Sequence, residues 1–229
     1  MIKIENLHKA YQNGEVVNPV LKGLDFTIEE GEFVVILGPS GCGKSTLLNC
    51  ISGLETVDKG AICYDGADIV QMSDRELTQF RRTTTAFIFQ NYYLMPSLSV
   101  AANIKMGANL AATKDIQPII DAVGLSGKEN AYPSQLSGGQ LQRVSIARAL
   151  AKNPRVLFCD EPTGALDEDT GRPVLKYLVA LQKEKKFTIV MVTHNQNIAF
   201  LAQKIIRMNS GKLVSITENQ PKTVDEIGW

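Results

Sequence analysis

The chain has 229 residues, of which 44% are hydrophobic, which is enough for a folded core and excludes a wholly disordered protein. Its 24 Lys and Arg balance its 24 Asp and Glu, and this neutrality argues against nucleic-acid binding through bulk charge. No apolar run approaches the roughly 18 residues that span a membrane, and the first residues lack a signal peptide, so we expect a cytosolic protein.

The first third of the chain has the pattern of several strands followed by one helix. Apolar and polar residues alternate between Ile2 and Ile28, which predicts short, partly exposed strands. Phe33–Leu37 is a continuous apolar run followed by glycine, as in a buried parallel strand. Ser45–Leu54 carries leucine and isoleucine on one helical face, which predicts a helix.

Buried strands recur later in the chain and alternate with helices, which predicts an α/β protein with a parallel sheet. Functional groups are then expected at the carboxyl ends of those strands. Residues 96–135 are helical in pattern and contain no buried-strand run, so we interpret them as an inserted subdomain. Residues 217–229 are polar, and we expect a loose tail with Trp229 as a tail residue. The recurring strands are predicted at Ala86–Phe89, Val156–Cys159 and Thr188–Val192.

Residues Gly38–Ser45 fit the phosphate-loop pattern G-x-x-x-x-G-K-[ST]. The motif follows a buried strand and opens a helix, whose N-terminus attracts anions. We expect Lys44 to reach the β- and γ-phosphates, Ser45 to bind Mg²⁺ and Thr46 to lie near the α-phosphate. The alternative is a glycine-rich turn before a helix. The predicted phosphate-binding residues are Gly38, Pro39, Ser40, Gly41, Cys42, Gly43, Lys44, Ser45 and Thr46.

Two acidic residues, Asp160 and Glu161, end the apolar strand that begins at Val156. Carboxylates at the end of a buried strand are costly unless a cation or another partner meets them. We expect Asp160 to contribute to a Mg²⁺ site and Glu161 to activate a water molecule as general base.

The sequence Leu136–Gln140, which reads LSGGQ, precedes a helix predicted over Gln142–Lys152. A serine and two glycines at a helix start form a second anion cradle. Nothing obvious would fold both cradles of one chain onto one nucleotide, so we infer that the second serves a neighbour's nucleotide in a two-fold dimer. An ordinary helix capped by Ser137 is the alternative.

Together these motifs resemble the nucleotide-binding subunit of an ATP-binding-cassette (ABC) transporter over about residues 1–215. By this resemblance Gly38–Thr46 is the Walker A loop, Val156–Glu161 is Walker B and Leu136–Gln140 is the signature motif. The implied cofactors are ATP and Mg²⁺.

The resemblance also implies an architecture for the chain. It predicts one ABC nucleotide-binding domain over residues 1–229, with a P-loop NTPase core built on a parallel sheet. The core comprises residues 1–95, including an antiparallel β subdomain, and residues 136–215. Residues 96–135 form the inserted α-helical subdomain.

Further roles carry over to single residues by resemblance alone. Gln90 resembles the Q-loop glutamine that touches Mg²⁺ and senses the γ-phosphate, and His194 resembles the switch histidine. Tyr11 resembles the aromatic residue that stacks on adenine. Asp167, with Ala165 and Leu166 before it, resembles the D-loop that crosses the dimer. The implied catalytic residues are Lys44, Gln90, Glu161 and His194; the metal ligands are Ser45, Gln90 and Asp160; and the residues acting on the partner's nucleotide are Ser137, Gly138, Gly139, Gln140 and Asp167.

A finer resemblance concerns Glu161–Asp167 and Thr193–Asn195, which are similar to the branch of macrolide exporters and lipoprotein-releasing ATPases. That branch implies an exporter or mechanotransmission complex for a peptide, lipoprotein or drug. An ABC importer subunit and a soluble non-transport ABC ATPase are the alternatives. The expected location is the cytoplasmic face of the membrane, as a peripheral protein.

The expected partners are a second copy of the chain and separately encoded transmembrane permease subunits, with no nucleic acid. Large apolar residues follow Gln90 and suggest a docking groove for a permease helix. Packing against the inserted subdomain is the alternative. The residues concerned are Tyr92, Tyr93, Leu94 and Met95.

Overall fold

The computed structural model describes residues 1–111, 113–164 and 166–229. Within these ranges the chain forms two sheets and a set of helices. The strands are β1 (Ile2–Asn13), β2 (Val16–Ile28), β3 (Phe33–Leu37), β4 (Lys59–Tyr64), β5 (Ala67–Asp68), β6 (Thr85–Ile88), β7 (Val156–Asp160), β8 (Thr188–Val192), β9 (Lys204–Asn209) and β10 (Lys212–Glu218). The helices are α1 (Lys44–Ile51), α2 (Asp74–Thr83), α3 (Val100–Ala111), α4 (Gln117–Ala122), α5 (Gly138–Ala151), α6 (Glu168–Lys185) and α7 (Gln196–Ala199).

The larger sheet has the strand order β10-β9-β3-β8-β7-β6. Its strands pair in parallel from β9 to β6, and β10 is antiparallel to β9. Val192 of β8 pairs with Ile36 of β3 on one side and with Asp160 of β7 on the other. The loops that follow β3, β7 and β8 therefore leave the sheet side by side. The predicted α/β fold with a parallel sheet is confirmed.

The central strands are apolar along their whole length because both faces of the sheet are covered. All five residues of β3 and all five of β8 are buried. Val34 and Ile36 contribute to one core cluster, while Val35 contributes to the other, on the opposite face. Continuous apolar runs of this kind are typical of parallel strands. Because each strand has only five residues, the polar loops that follow it lie at the edge of the sheet.

The smaller sheet has the order β2-β1-β4-β5, and its pairs are antiparallel. The prediction of short strands in this part of the chain is wrong, since β1 and β2 form one hairpin with 12 and 13 residues per strand. Their pairing shifts register at three places, one of them between Ile4 and Leu7. Each bulge interrupts the apolar–polar alternation, so one long strand reads as several short ones.

Residues 96–135 contain α3 and α4, and the described part of this range holds no strand. Helix α3 packs against α5. Helix α5 begins at Gly138, earlier than the predicted start at Gln142, because a capping box between Ser137 and Gln140 starts it. Across the described residues, no helix combines the length and apolar character that crossing a membrane requires.

The expectation of a loose tail at the end of the chain is wrong. Val224 and Ile227 are 4% and 5% exposed and belong to a core cluster. Arg172 of α6 donates hydrogen bonds to the carbonyl oxygens of both residues. Trp229, which was also expected to be a tail residue, packs against the same cluster, so three apolar residues anchor a segment whose composition is otherwise polar.

Candidate functional site

The loop between β3 and α1 needs glycine at two positions for different reasons. Gly43 is the N-cap of α1 and has φ 102°, a left-handed conformation that side chains disfavour. At Gly38 a Cβ atom would lie 2.4 Å from the carbonyl oxygen of Met208. Glycine at these positions lets the backbone turn tightly ahead of the helix N-terminus, which is the arrangement that binds phosphate.

Lys44 is only 8% exposed and its ammonium group is held inside this loop. Its Nζ donates to the carbonyl oxygens of Gly38 and Pro39, at 2.8 and 2.9 Å. Both of these hydrogen-bond partners are neutral carbonyl groups. The positive charge of the buried lysine therefore favours the binding of an anion nearby.

Ser45 and Asp160 connect the start of α1 to the end of β7. The Ser45 hydroxyl donates to Oδ1 of Asp160 at 3.1 Å. Burial raises the pKa of Asp160, and the neighbouring Glu161 charge raises it further, against the Ser45 hydrogen bond and the charge of Lys44. A carboxylate held in a poorly hydrated place is stabilised by a cation.

The donors at this point are hydroxyl and carboxylate oxygens, which suit Mg²⁺. In the described part of the chain, no group of three or more His, Cys, Asp and Glu residues could hold a metal ion. Mg²⁺ commonly binds through one or two protein ligands, with phosphates and water completing its shell, so the residues present fit that ion.

Glu161 and His194 form a pair across the ends of β7 and β8. Oε1 of Glu161 lies 2.9 Å from Nδ1 of His194, and the Thr193 hydroxyl donates to Oε2 at 3.5 Å. An ionised carboxylate only accepts, so Nδ1 carries the proton in this pair. The side chain of Glu161 is 14% exposed, whereas that of His194 is 76% exposed.

The backbone of Glu161 is unusual, with φ 51°, in the left-handed region that non-glycine residues rarely adopt. Its N–H donates to the carbonyl oxygen of Val192 at 3.0 Å, which holds this turn against β8. Such strain persists only where the surroundings fix it, and it is common at functional sites.

Most of the residues that are predicted to bind phosphate, to bind the metal ion or to act in catalysis line one cavity of about 450 Å³. Val20 of β2 and Val192 also line it. Val20 was missed by the sequence analysis, because one valine in an alternating strand gives no functional signal. The predicted residues in the lining are Ser40, Gly41, Gly43, Lys44, Ser45, Thr46, Gln90, Asp160, Glu161 and His194.

Three predicted phosphate-loop residues do not line that cavity. Gly38 and Pro39 line a neighbouring cleft, which also includes Ser40 and His194. Cys42 is 5% exposed and belongs to a core cluster. Its side chain therefore packs beneath the loop, and only its backbone can face a phosphate.

Tyr11 lies outside the lining of the cavity. Its ring is partly exposed, its hydroxyl donates to Oε2 of Glu55 at 2.7 Å, and Nζ of Lys9 lies 5.4 Å from the ring centroid. Partial burial and the bond to Glu55 raise the pKa of the Tyr11 phenol. Stacking on adenine remains a prediction.

The second predicted cradle is exposed and separate from this cavity. Ser137 Oγ accepts from the N–H of Gln140 at 3.3 Å, and Gln140 Oε1 accepts from the N–H of Ser137 at 3.0 Å. Gly138 is exposed and Gly139 half-buried, and none of the four residues lines the cavity. Within one chain Ser137 is therefore an ordinary helix cap, and its action on a neighbour's nucleotide stays a prediction.

Asp167 is the N-cap of α6 and lies on the surface. Its carboxylate accepts from the N–H and the hydroxyl of Thr170 at 2.9 and 2.8 Å. These bonds hold the pKa of Asp167 below its usual range. Ala165, the first residue of the predicted D-loop, lies outside the described residues.

Comparison with known sequences places this geometry in a family. The family model described as "ABC transporter" matches residues 21–164. The ABC transporter ATP-binding protein MG065 homolog of Mycoplasma pneumoniae is 46% identical over 234 residues, which cover 100% of this chain and 50% of that protein. The ABC transporter ATP-binding protein MJ1508 of Methanocaldococcus jannaschii is 46% identical, with 94% of this chain and 99% of that protein covered.

A third relative is the macrolide export ATP-binding/permease protein MacB of Nitrobacter winogradskyi, which is 40% identical. The match covers 98% of this chain and 36% of MacB. The chain thus spans about half the length of the Mycoplasma relative and a third of MacB.

Solved structures agree with the sequence comparison. The dimeric structure of the bacterial ABC transporter cassette MJ0796 has a TM-score of 0.90 at 37% identity, covering 97% of this chain and 100% of that one. A dimeric post-hydrolysis state of MJ0796 bound to ADP and Pi has a TM-score of 0.91 at 36% identity, with the same coverage. The chain therefore belongs to the family of ABC transporter ATP-binding proteins, and its fold is that of the ABC ATPase cassette.

Proposed function

We propose that this chain binds and hydrolyses ATP and so powers a membrane ABC transporter. The observation that carries the proposal is the single cavity in which the phosphate loop faces Asp160, Glu161 and His194. ATP hydrolysis needs a phosphate cradle, a site for Mg²⁺ and a group that orients or deprotonates water, and the cavity supplies residues for each.

The residues of the cavity divide the work between charge and proton transfer. Lys44 exchanges its bonds to the loop carbonyls for bonds to the β- and γ-phosphates, where it stabilises the negative charge on the transferred γ-phosphoryl group and on the departing ADP. Bound by Ser45, Asp160 and Gln90, Mg²⁺ would neutralise phosphate charge. Glu161 takes a proton from the attacking water, whose oxygen bonds to the γ-phosphorus while the bond from that phosphorus to the oxygen of the β-phosphate breaks, which gives phosphate and ADP. His194 holds Glu161 in place through the bond at Nδ1.

We propose further that two copies enclose two ATP molecules, each between the phosphate loop of one copy and Ser137–Gln140 of the other. The exposure of the signature residues supports this arrangement, as does the dimeric state of the similar cassette MJ0796. Binding closes the dimer because the γ-phosphate is contacted from both sides only across the interface. Hydrolysis removes that contact and reopens it.

The variant Glu161→Gln tests the proposed reaction. It keeps the hydrogen-bonding shape of the side chain but cannot accept a proton, so ATP should still bind while phosphate release falls by about 10²–10⁴-fold. The ATP-bound variant should remain dimeric in size-exclusion chromatography with light scattering. Glu184→Gln, an exposed change on α6, is the matched control and should behave as the wild type. Hydrolysis by Glu161→Gln at the wild-type rate would exclude Glu161 as the base.

A groove beside β6 supports the proposed docking of a permease subunit. It has a volume of about 380 Å³, and it is lined by apolar side chains including Phe89, Tyr93, Met106 and Leu110. Tyr93 is 64% exposed. An unpaired apolar surface of this kind suits an apolar helix.

The loop that carries Tyr93 is fixed from α5. Arg148 donates to the carbonyl oxygens of Tyr92 and Tyr93, at 2.8 and 2.6 Å. Leu94 differs, because it is half-buried and packs against the core. This agrees with the alternative interpretation of the segment, in which its apolar residues pack inside the chain and do not contact a permease. Met95 is 45% exposed and is the other residue of the segment available for contact.

Tyr93→Glu should separate the chain from its permease and leave its basal ATPase activity unchanged. Leu94→Glu should instead lower the melting temperature, because it places a charge in a packed position. Co-purification from detergent-solubilised membranes and thermal unfolding measure the two effects. Equal loss of stability in both variants would contradict a docking role for Tyr93.

We propose that this chain is a peripheral subunit at the cytoplasmic face of the membrane. We propose also that its transporter exports a substrate or extracts it from the membrane. The likeness to MacB supports it. Purification of the tagged chain with its membrane partner, followed by mass spectrometry, tests this. A partner with few spans and a large outer domain agrees with export, and a many-span partner with a solute-binding protein would indicate an importer.

A further inference from the structure

The last residues of the chain bridge two helices that follow the catalytic loops. We call residues 219–229 the strap. Its first part sits on the end of α7: Asn219 donates through Nδ2 to the carbonyl oxygens of Phe200 and Ala202, at 3.3 and 2.8 Å. The N–H of Lys222 donates to the Phe200 carbonyl at 2.8 Å, and its Nζ lies 5.0 Å from the Phe200 ring centroid.

The second part of the strap sits on the first turns of α6. Arg172 is the central contact, since its guanidinium donates to the carbonyl oxygens of Val224 and Ile227 and also to the Glu168 carboxylate. The side chain of Arg172 is 20% exposed, so these bonds are largely shielded from water. A guanidinium with three oxygen partners holds the strap in one register on the helix.

Trp229 covers the backbone of α6 at Gly171. A Cβ atom built on Gly171 would lie 2.0 Å from Cη2 and 2.2 Å from Cζ2 of the indole ring. At the neighbouring position of the strap, a Cβ on Gly228 would lie 2.9 Å from Nδ2 of Asn197 in α7. The end of the strap therefore fits between both helices at contact distance.

These two helices begin beside Asp167 and His194, the residues predicted to respond to nucleotide. The N–H of Gly171 donates to the carbonyl oxygen of Asp167 at 2.8 Å, so the turn under Trp229 is the turn that holds the D-loop aspartate. Helix α7 begins two residues after His194, with Asn195 as its N-cap. A segment fastened to both helices fixes their relative position.

We propose that the strap positions Asp167 relative to His194 for the ATP-driven association of two copies, with Arg172 as its positioning residue. The inference rests on the proposed dimer. Among the described residues, none of the strap lines the cavity, so its proposed role is to set how the surface around Asp167 is presented to a partner. Loss of the strap should weaken dimer formation and leave nucleotide binding by the single chain unchanged.

Gly171→Ala is the first test, because the new methyl group must displace the Trp229 ring; it would also lie 3.2 Å from Cβ of Leu166, so its result is read together with that of Arg172→Met. Alanine is a better helix former than glycine, so the change detaches the strap without weakening α6 itself. Trp229 is the only tryptophan of the chain, and a red shift of its emission reports the displacement directly. Arg172→Met is the second variant, since it keeps the aliphatic stem and removes the donors.

Lys176→Met is the matched control. It removes the pair between Lys176 and Asp225, which joins the same two segments at 2.6 Å but lies on the surface, with side chains 49% and 67% exposed. An exposed pair contributes little, so this variant should behave as its parent.

All three changes are made in the full chain carrying Glu161→Gln, and dimer formation is followed against ATP concentration. Gly171→Ala and Arg172→Met should each need at least about tenfold more ATP for half-association, within the usual range of coupling between sites. ADP affinity should stay at the parent value, since the strap does not line the nucleotide cavity.

Two results would overturn the proposal: both variants associating at the parent's ATP concentration, or ADP affinity falling together with association, which would make the strap a general fold contact. If the parent itself does not associate with ATP, the proposed dimer fails and the strap inference fails with it.

Discussion

The two glycine-rich cradles of this chain look alike in sequence and differ in what surrounds them. The phosphate loop is completed by its own chain: Lys44 lies beneath it and Asp160 closes it from β7. The signature cradle at Ser137–Gln140 is exposed at Ser137 and Gly138, and the hydrogen bonds between Ser137 and Gln140 lie within its own helix start. A glycine-rich helix N-terminus alone therefore does not define a phosphate-binding site. The groups that lie opposite it decide whether a single chain can bind phosphate there.

The largest effect is expected at the cradle that is complete in one chain. Lys44→Ala removes the buried ammonium that faces the phosphates, so hydrolysis should fall by about 10²–10³-fold, as for a lost transition-state donor. Nucleotide affinity should fall as well, as measured by isothermal calorimetry. Lys59→Ala, an exposed change at the first residue of β4, is the control. Nucleotide affinity at the wild-type level in Lys44→Ala would show that the loop does not hold phosphate in this chain.

The signature cradle should respond differently, because its effect needs a second copy. Gly138→Asp places a carboxylate at an exposed helix start, where it suits the helix dipole but repels a partner's phosphate. Hydrolysis should fall by roughly tenfold or more, while ATP binding by the single chain is kept. Ser134→Asp, an exposed change just before the motif, is the control.

Mixing the two variants sharpens the comparison further. A dimer of Lys44→Ala and Gly138→Asp chains contains one intact loop facing one intact signature. The mixture should therefore recover part of the hydrolysis that each variant lacks alone. Absence of any recovery would contradict a signature that acts on the neighbour's nucleotide.

A smaller effect is expected from the charge of Asp160. Because burial raises its pKa, Asp160 takes up a proton at a higher pH than an ordinary aspartate, and the protonated form cannot bind a cation. The Mg²⁺ affinity of the ATP-bound chain should therefore decline on acidification, and the decline should begin at a higher pH than an ordinary aspartate would give. Mg²⁺ titrations at several pH values measure this.

The same pKa shift predicts the effect of Asp160→Asn on stability. A raised pKa means that the ionised form is destabilised in the folded chain, so the neutral asparagine should raise the melting temperature without nucleotide near neutral pH. A lower melting temperature would show that the carboxylate contributes more through its hydrogen bond to Ser45 than its burial costs.

The smallest effect is expected at Tyr11. Tyr11→Phe removes the bond to Glu55 and keeps the ring, so KM for ATP should rise by about two- to tenfold with kcat unchanged, as for one hydrogen bond. Tyr11→Ala should raise KM more if the ring stacks on adenine. Equal KM values in the wild type and Tyr11→Ala would exclude stacking.

The sequence predicted the catalytic half of the molecule well because its signals are local. Phe33–Leu37 and Thr188–Val192 are short apolar runs, and both are strands with those bounds. The phosphate loop directly follows the first of them, and parallel pairing brings Asp160 and Val192 together. The position of a residue that directly follows a buried strand can therefore be predicted with little information from the rest of the chain.

The features that were missed depend on distant contacts. The bulges of the long hairpin disrupt the alternation of apolar residues, and Val20 enters the cavity only because β2 passes beside Gly43. The strap is polar in composition, and its anchors Val224 and Ile227 find their partners on α6, about fifty residues earlier. Such pairings have no local sequence signature.

The register of the larger sheet has a consequence for how the molecule opens. Val192 is bonded into the sheet between β3 and β7, so the spacing between the phosphate loop, Asp160 and His194 can change only if central strands separate. In hydrogen–deuterium exchange, the amides of β8 should therefore exchange only with global unfolding, whereas those around Ser137 exchange through local fluctuations. By this expectation, the residues proposed for catalysis lie in the most protected unit of the chain, and the surface proposed to meet a partner lies in a unit that opens more readily.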